Sequence, residues 1–210
     1  MHDALFLVSP MRKAIIHLKK ADPILRDIIE KVGPYQIKYR EPVFETLVRS
    51  IVFQQLSGFA ANAIFRRLVE ATGEPVTPAS ILRLRPKRMQ SLGLSRQKME
   101  YIRDLARRTR NGELDFDACS QLDDEEIIRQ FTAVKGIGIW TVQMFLMFAL
   151  RRPNVLPSGD LGVRAAVKKA YRLEEMPKPT EVARIAESWH PYCSVASWYL
   201  WRSLENAPNI

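Results

Sequence analysis

Between two runs of helical periodicity the chain reads Val134-Lys135-Gly136-Ile137-Gly138-Ile139-Trp140-Thr141. Two glycines around one apolar residue make a corner. Gly136 and Gly138 are expected to adopt backbone angles barred to residues with side chains, while Ile137 plugs the space between the flanking helices. The N–H groups that open the second helix lack intrahelical partners, and a corner free of side chains lets a phosphate oxygen approach them. Such contacts locate a protein on a nucleic acid without reading its sequence. Taken alone, the spacing also fits an ordinary tight turn. It is not a dinucleotide-binding fingerprint, because no strand precedes it and the third glycine is missing. Further on, Leu156-Pro157-Ser158-Gly159-Asp160 leads into the run Leu161 to Tyr171. An aspartate there caps the free N–H groups of a helix and complements its dipole.

The elements that must carry these residues are helical. Apolar side chains recur at helix spacing, as in Phe44, Leu47, Val48, Ile51 and Val52, then Ala60, Ile64 and Leu68, and no long alternating pattern occurs. The hairpin follows Ile127, Ile128 and Phe131 on one amphipathic face and precedes Val142, Phe145, Leu146 and Ala149 on another. Glycine and proline cut the chain often, so roughly ten short helices are expected. Helix starts are predicted at Asp22-Pro23, Thr77-Pro78, Ser95, Asp123 and Thr180.

Charge narrows the partner. Thirty-two Lys and Arg against twenty-three Asp and Glu leave a formal +9, which favours a polyanion, with an anionic membrane surface as the rival. Ten bases crowd between Arg83 and Arg110 against Glu100 and Asp104, whereas Glu113 to Glu126 holds seven acids and no base. The basic block reads as a phosphate-facing surface or as a solvated helix face. The apolar stretch Trp140 to Leu150 is broken by Thr141 and Gln143 and falls short of the about 20 residues a bilayer requires. Leu5 to Val8, preceded by Asp3 and followed by Pro10, does not read as a cleavable signal. A soluble intracellular protein is expected, cytoplasmic with the bacterial nucleoid or nuclear. Cys119 and Cys193 stand alone, which leaves no metal-binding pair and no disulfide framework.

Taken with Phe53-Gln54-Gln55-Leu56-Ser57-Gly58, Trp189-His190-Pro191 and Trp198-Tyr199-Leu200-Trp201, the hairpin and the aspartate resemble the helix-hairpin-helix (HhH-GPD) DNA glycosylase superfamily. The nearest likeness is its 3-methyladenine DNA glycosylase II group in compact form, and it covers most of the chain from Pro42 onward. The resemblance implies an all-α, two-lobed helical fold. The lobes are expected at about 42–135 and at the N-terminal segment plus about 136–210.

The same resemblance implies monofunctional excision of alkylated purines, such as 3-methyladenine and 7-methylguanine, from double-stranded DNA by base flipping. Asp160 matches the catalytic carboxylate, stabilising positive charge on the sugar or activating water. Trp140, Met144 and Trp201 match the base pocket, where electron-rich rings attract a cationic base. Leu56, or else Ser57, matches the wedge that fills the vacated stack. Lys135, Gly136, Ile137, Gly138 and Thr141 match the contacts to the DNA backbone. The carbonyls of Thr132, Val134 and Ile137 match a site for a monovalent cation, Na+ or K+. Trp189 and Trp198 are expected in the core.

Departures from the wider family matter as well. Relatives with lyase activity carry a lysine where Trp140 stands, so no lyase step is expected, and two cysteines cannot hold the iron–sulfur cluster of endonuclease III. No cofactor is required and a monomer is expected. Two other classes stay open: a helix-hairpin-helix DNA-binding or damage-sensing module without catalysis, and a basic helical scaffold for protein or membrane.

Overall fold

A computed structural model describes residues 10–205; the run Leu5 to Val8 lies outside them. Twelve α-helices and no strand occur among the described residues: α1 Pro10–Ala21, α2 Pro23–Val32, α3 Phe44–Phe53, α4 Gly58–Thr72, α5 Pro78–Arg83, α6 Pro86–Ser91, α7 Arg96–Arg110, α8 Asp124–Thr132, α9 Ile139–Phe148, α10 Leu161–Ala170, α11 Pro179–Ile185 and α12 Cys193–Glu205. None of these helices is long and apolar enough to cross a membrane. The helices form two compact units. One is Tyr39–Arg151; the other takes the described residues up to Lys38 together with those from Arg152 onward.

In the first unit, α3 buries Leu47, Val48, Ile51 and Val52 completely, the consequence of apolar residues at a spacing of three and four. Phe131 of α8 stacks on Phe145 of α9 with ring centroids 5.4 Å apart, and Phe116 meets both edge-on. This shared aromatic core corrects the expected lobe boundary. Cutting the chain after residue 135 would split α8 from α9 and expose both rings, each worth about 1.5–3 kcal/mol of burial. The whole hairpin therefore belongs to the Tyr39–Arg151 unit, and the boundary falls at Arg151.

The second unit packs α1, α2, α10, α11 and α12 around Leu18, Leu25, Val167, Trp189 and Tyr199. Its polar anchor is the buried Asp22. One carboxylate oxygen caps α2 by accepting from the N–H groups of Ile24 (2.9 Å) and Leu25 (3.0 Å). The other accepts from Trp189 Nε1 at 2.8 Å and from the Tyr171 hydroxyl, so burial and this carboxylate together push the Tyr171 pKa upward. Trp189 and Trp198 are core residues, as expected. Burial pushes the Cys193 thiol up to about 12, and Cys119 is buried too.

Asp22, Thr77, Ser95 and Asp123 cap the helices predicted for them. Thr180 does not. Pro179 opens α11, whose cap is Lys178, and the Glu181 carboxylate accepts from the Lys178 N–H at 2.7 Å. Proline at the first helical position needs no N–H partner, which moves the start upstream of the threonine.

Candidate active site

The two hairpin glycines serve different purposes. Gly136 has φ +77°, and a Cβ there would lie 2.0 Å from the Tyr101 ring of α7. Tyr101 therefore floors the corner, with its hydroxyl accepting from Gln97 Nε2 at 2.6 Å. Gly138 corrects the sequence-based expectation: at φ −91°, ψ 170° it sits in extended backbone open to any residue. Nothing lies within 4 Å of the place its Cβ would take, so inside the protein its bareness has no packing cause and simply leaves the start of α9 uncovered. Ile137 is buried and fills the corner as expected.

Helix α7 braces this corner along one face. The buried Asp104 accepts from the Lys135 N–H at 3.1 Å, Arg108 Nε at 3.2 Å and Arg107 Nη2 at 3.4 Å. Burial works against its charge, but these donors outweigh it and hold its pKa below the usual carboxylate value. Lys135 Nζ pairs with Glu100 at 2.7 Å. One turn before Tyr101, Lys98 reaches the end of α3, donating to the carbonyls of Val52 (2.6 Å) and Gln54 (2.7 Å), and burial lowers its pKa. Gln54 Nε2 donates to the Gly136 carbonyl at 2.8 Å. The turn Gln54–Ser57 is thereby fastened both to the hairpin and to α7.

These contacts correct the reading of the basic block. Lys98, Arg103, Arg107 and Arg108 satisfy groups of the protein itself, Arg103 through the Leu84 carbonyl at 3.0 Å. The block's formal charge overstated its outward-facing charge, because sequence does not show which long side chains fold back.

At the tip of the Gln54–Ser57 turn, Gln55 holds φ +55°, a conformation that costs a non-glycine residue of order 1 kcal/mol. Leu56 is 40% exposed, so it is not a core residue. Ser57 is the N-cap of α4, its hydroxyl accepting from the Ala60 N–H at 3.4 Å. Phe59, which the sequence reading passed over, is 89% exposed beside them.

Trp140 and Met144, one helical turn apart, line one cavity of about 330 Å³ with Phe53, Gln55 and Thr141. Trp140 is half exposed. Thr46, Arg49 and Ser50 of α3 line it too, as does Arg40. These polar residues were not foreseen, because on α3 they occupy the face left over by the apolar stripe and resemble any solvated surface. Ile137 and Thr141 have buried side chains, so any strand contact from these two runs through backbone. Thr132 bonds its own helix through the Ile128 carbonyl at 2.6 Å, and the Val134 carbonyl accepts from the Ile137 N–H at 3.1 Å.

Asp160 lies in the other unit at the N-terminus of α10, where its Oδ1 accepts from the Val163 N–H at 2.8 Å. The same oxygen accepts from Trp201 Nε1 of α12 at 2.7 Å. Gly162 makes room for this pair: a Cβ there would stand 2.9 Å from Trp201 Cδ1 and 3.1 Å from Asp160 Oδ1. Trp201 is thus the partner that orients Asp160, a relationship no spacing rule exposes across 41 residues. Nor did the sequence reading single out Gly162, although a glycine within the first turn of a helix was the available signal.

Comparison with known proteins gives the arrangement a lineage. The HhH-GPD superfamily base excision DNA repair protein family matches residues 48–191. The chain is 34% identical over 204 residues to DNA-3-methyladenine glycosylase 1 of Schizosaccharomyces pombe, across 94% of this chain and 89% of that protein. The solved structure of the Schizosaccharomyces pombe 3-methyladenine DNA glycosylase Mag1 in complex with abasic DNA superposes with a TM-score of 0.82 at 34% identity, over 93% of this chain and 98% of that one. A DNA-3-methyladenine glycosidase from Bacillus halodurans gives a TM-score of 0.85 at 36% identity, over 94% and 90%. With the family pattern spanning most of its length and relatives so similar from end to end, the chain belongs to the HhH-GPD superfamily of base excision DNA repair proteins.

Proposed function

We propose that the protein binds double-stranded DNA, extrudes an alkylated purine such as 3-methyladenine or 7-methylguanine, and hydrolyses its N-glycosidic bond without cutting the strand. The observation that carries this reading is the Asp160 carboxylate held by two N–H donors, Val163 and Trp201, in a chain whose relatives are 3-methyladenine glycosylases. A carboxylate oriented in advance stabilises a developing cation without reorganising as the charge appears.

Alkylation of a ring nitrogen leaves the base positively charged. When the bond from C1′ to the base nitrogen breaks, its electron pair goes to the base, which departs neutral. Positive charge develops on the sugar, where Asp160 offsets it. Water then adds to C1′ and loses its proton, with Asp160 as the assigned acceptor, leaving an abasic site. Trp140 and Met144 form a wall against which the base stacks, and Trp201 orients Asp160. Leu56 is the wedge, with Gln55 at the same turn; Ser57 is engaged as a cap. Lys135, Gly136, Ile137, Gly138 and Thr141 meet the strand, chiefly through backbone. A monovalent cation would be held by the carbonyls of Thr132, Val134 and Ile137, since neutral oxygen donors suit a hard cation; it would add positive charge beside a phosphate. The protein acts as a monomer wherever chromosomal DNA lies, the nucleoid or the nucleus.

Chromatography of bases released from methylated duplex DNA tests the proposal. Free methylpurines should appear while the strand stays intact until alkali is added. Absence of any released base, or immediate nicking with a borohydride-trapped adduct, would refute it.

A further inference from the structure

Arg49 projects from α3 to the rim of the cavity lined by Trp140 and Met144. Its guanidinium carbon stands 4.0 Å from the centre of the Phe53 ring and 5.1 Å from that of Phe65, and Nη2 donates to Asn62 Oδ1 at 2.9 Å. Two rings and a neutral amide fix the group in place without an ion pair. No carboxylate lies within ion-pair distance of it among the described residues; the acid one turn away, Glu45, accepts from the Val76 N–H at 2.9 Å and acts on Arg49 only through its charge from beyond that distance. The cations of the hairpin brace differ: Arg107, Arg108 and Lys135 each meet a carboxylate. Arg40 lines the same cavity, and loss of solvent followed by the charge of Arg40 lowers the Arg49 pKa. Holding two cations this close is unfavourable until an anion joins them.

We infer that Arg49, supported by Arg40, is a phosphate subsite that takes one backbone phosphodiester of the bound DNA strand beside the cavity. The inference rests on the DNA reading proposed above. A planar fork presents paired N–H donors that match phosphate oxygens. An alkylated purine, itself cationic, is repelled by the two guanidiniums, so Trp140 and Met144 of α9 suit the base while Arg49 and Arg40 suit the phosphate. The tight immobilisation of Arg49 lowers the ordering cost of that contact.

The test measures affinity for an undamaged duplex and for one carrying a tetrahydrofuran abasic analogue, by fluorescence anisotropy across a salt series. Single phosphates near the lesion are replaced in turn by neutral methylphosphonates. Arg49→Gln should weaken both duplexes about tenfold and reduce the slope of log affinity against log salt by about 0.9. One methylphosphonate that weakens the wild type should leave Arg49→Gln unaffected. Arg49→Lys, with the charge kept and the fork lost, should retain the slope and lose only part of the affinity, which separates the effect from misfolding. An unchanged slope, or undiminished sensitivity of Arg49→Gln to every methylphosphonate, would overturn the assignment. So would a loss confined to lesion-bearing duplexes. Wild-type protein without salt-dependent duplex affinity would overturn the DNA reading as well, whereas intact wild-type binding with indifferent variants removes only the subsite.

Discussion

Trp201 donates its indole N–H, at 2.7 Å, to the same Asp160 oxygen that caps the Val163 N–H at 2.8 Å. Asp160 is thus both the cap of α10 and the acceptor of the indole N–H, an arrangement compatible with the catalytic role proposed for it. Capping fixes where the carboxylate begins and the indole fixes which way it turns.

Asp160→Asn separates the two roles. Asparagine caps a helix as well as aspartate does, so the melting temperature should stay within a degree or two. Single-turnover base release should fall at least 100-fold, the order seen when a preorganised charge is removed, while duplex affinity changes little. Turnover that survives the substitution removes Asp160 from the chemistry.

Gly162→Ala places a Cβ 2.9 Å from the Trp201 ring and should force the indole off Asp160. Release should slow about tenfold with little loss of duplex binding, consistent with a displacement on the order of 1 Å in a catalytic group. Trp201→Phe, which keeps most of the ring and removes only the donor, should reproduce the slowing. An unimpaired rate in both variants would show that the hydrogen bond does not matter to the reaction.

Gly136 and Gly138 should respond differently to alanine. Gly136→Ala combines φ +77° with a clash on Tyr101 and should cost about 1–3 kcal/mol of stability, seen as a lowered melting temperature. Gly138→Ala meets nothing inside the protein, so its stability should hold. Its affinity for every duplex should nevertheless drop, because the methyl group would stand in the way of the phosphate contact proposed there. Equal melting temperatures for the two variants would contradict this division.

Lys98→Met removes the donor shared by the Val52 and Gln54 carbonyls. About 1–3 kcal/mol should be lost, and amide exchange across Gln54–Ser57 should quicken more than in α4, a readout that general destabilisation would not localise. Base release should slow because the turn that carries the proposed wedge loses its brace.

Asp104→Asn should cost about 1–2 kcal/mol at neutral pH, discounted for the partly exposed arginines that face it. The Asp104 pKa is lower in the folded protein than in the unfolded chain. Its stabilisation is therefore fully present above the unfolded value of about 3.9 and is lost as pH falls through the folded one. The gap in melting temperature between wild type and variant should accordingly narrow from about pH 4 downward. A gap that stays constant to pH 3 would mean that the charge of Asp104 is immaterial to the brace.

By itself the sequence determined the helical class, the caps at Asp22, Thr77, Ser95, Asp123 and Asp160, the plug at Ile137 and the pairing of Trp140 with Met144 one turn on. All of these depend on residues within a turn or two of one another, where propensity, periodicity and capping act. The tertiary structure alone decided that Lys98 folds inward, that Gly136 rather than Gly138 needs its missing side chain, that α9 belongs with α8 in one unit, and that Trp201 orients Asp160. Each depends on which distant residue arrives as a neighbour, Tyr101 under a glycine or an indole over a cap. Packing sets that neighbour, and no local spacing encodes it.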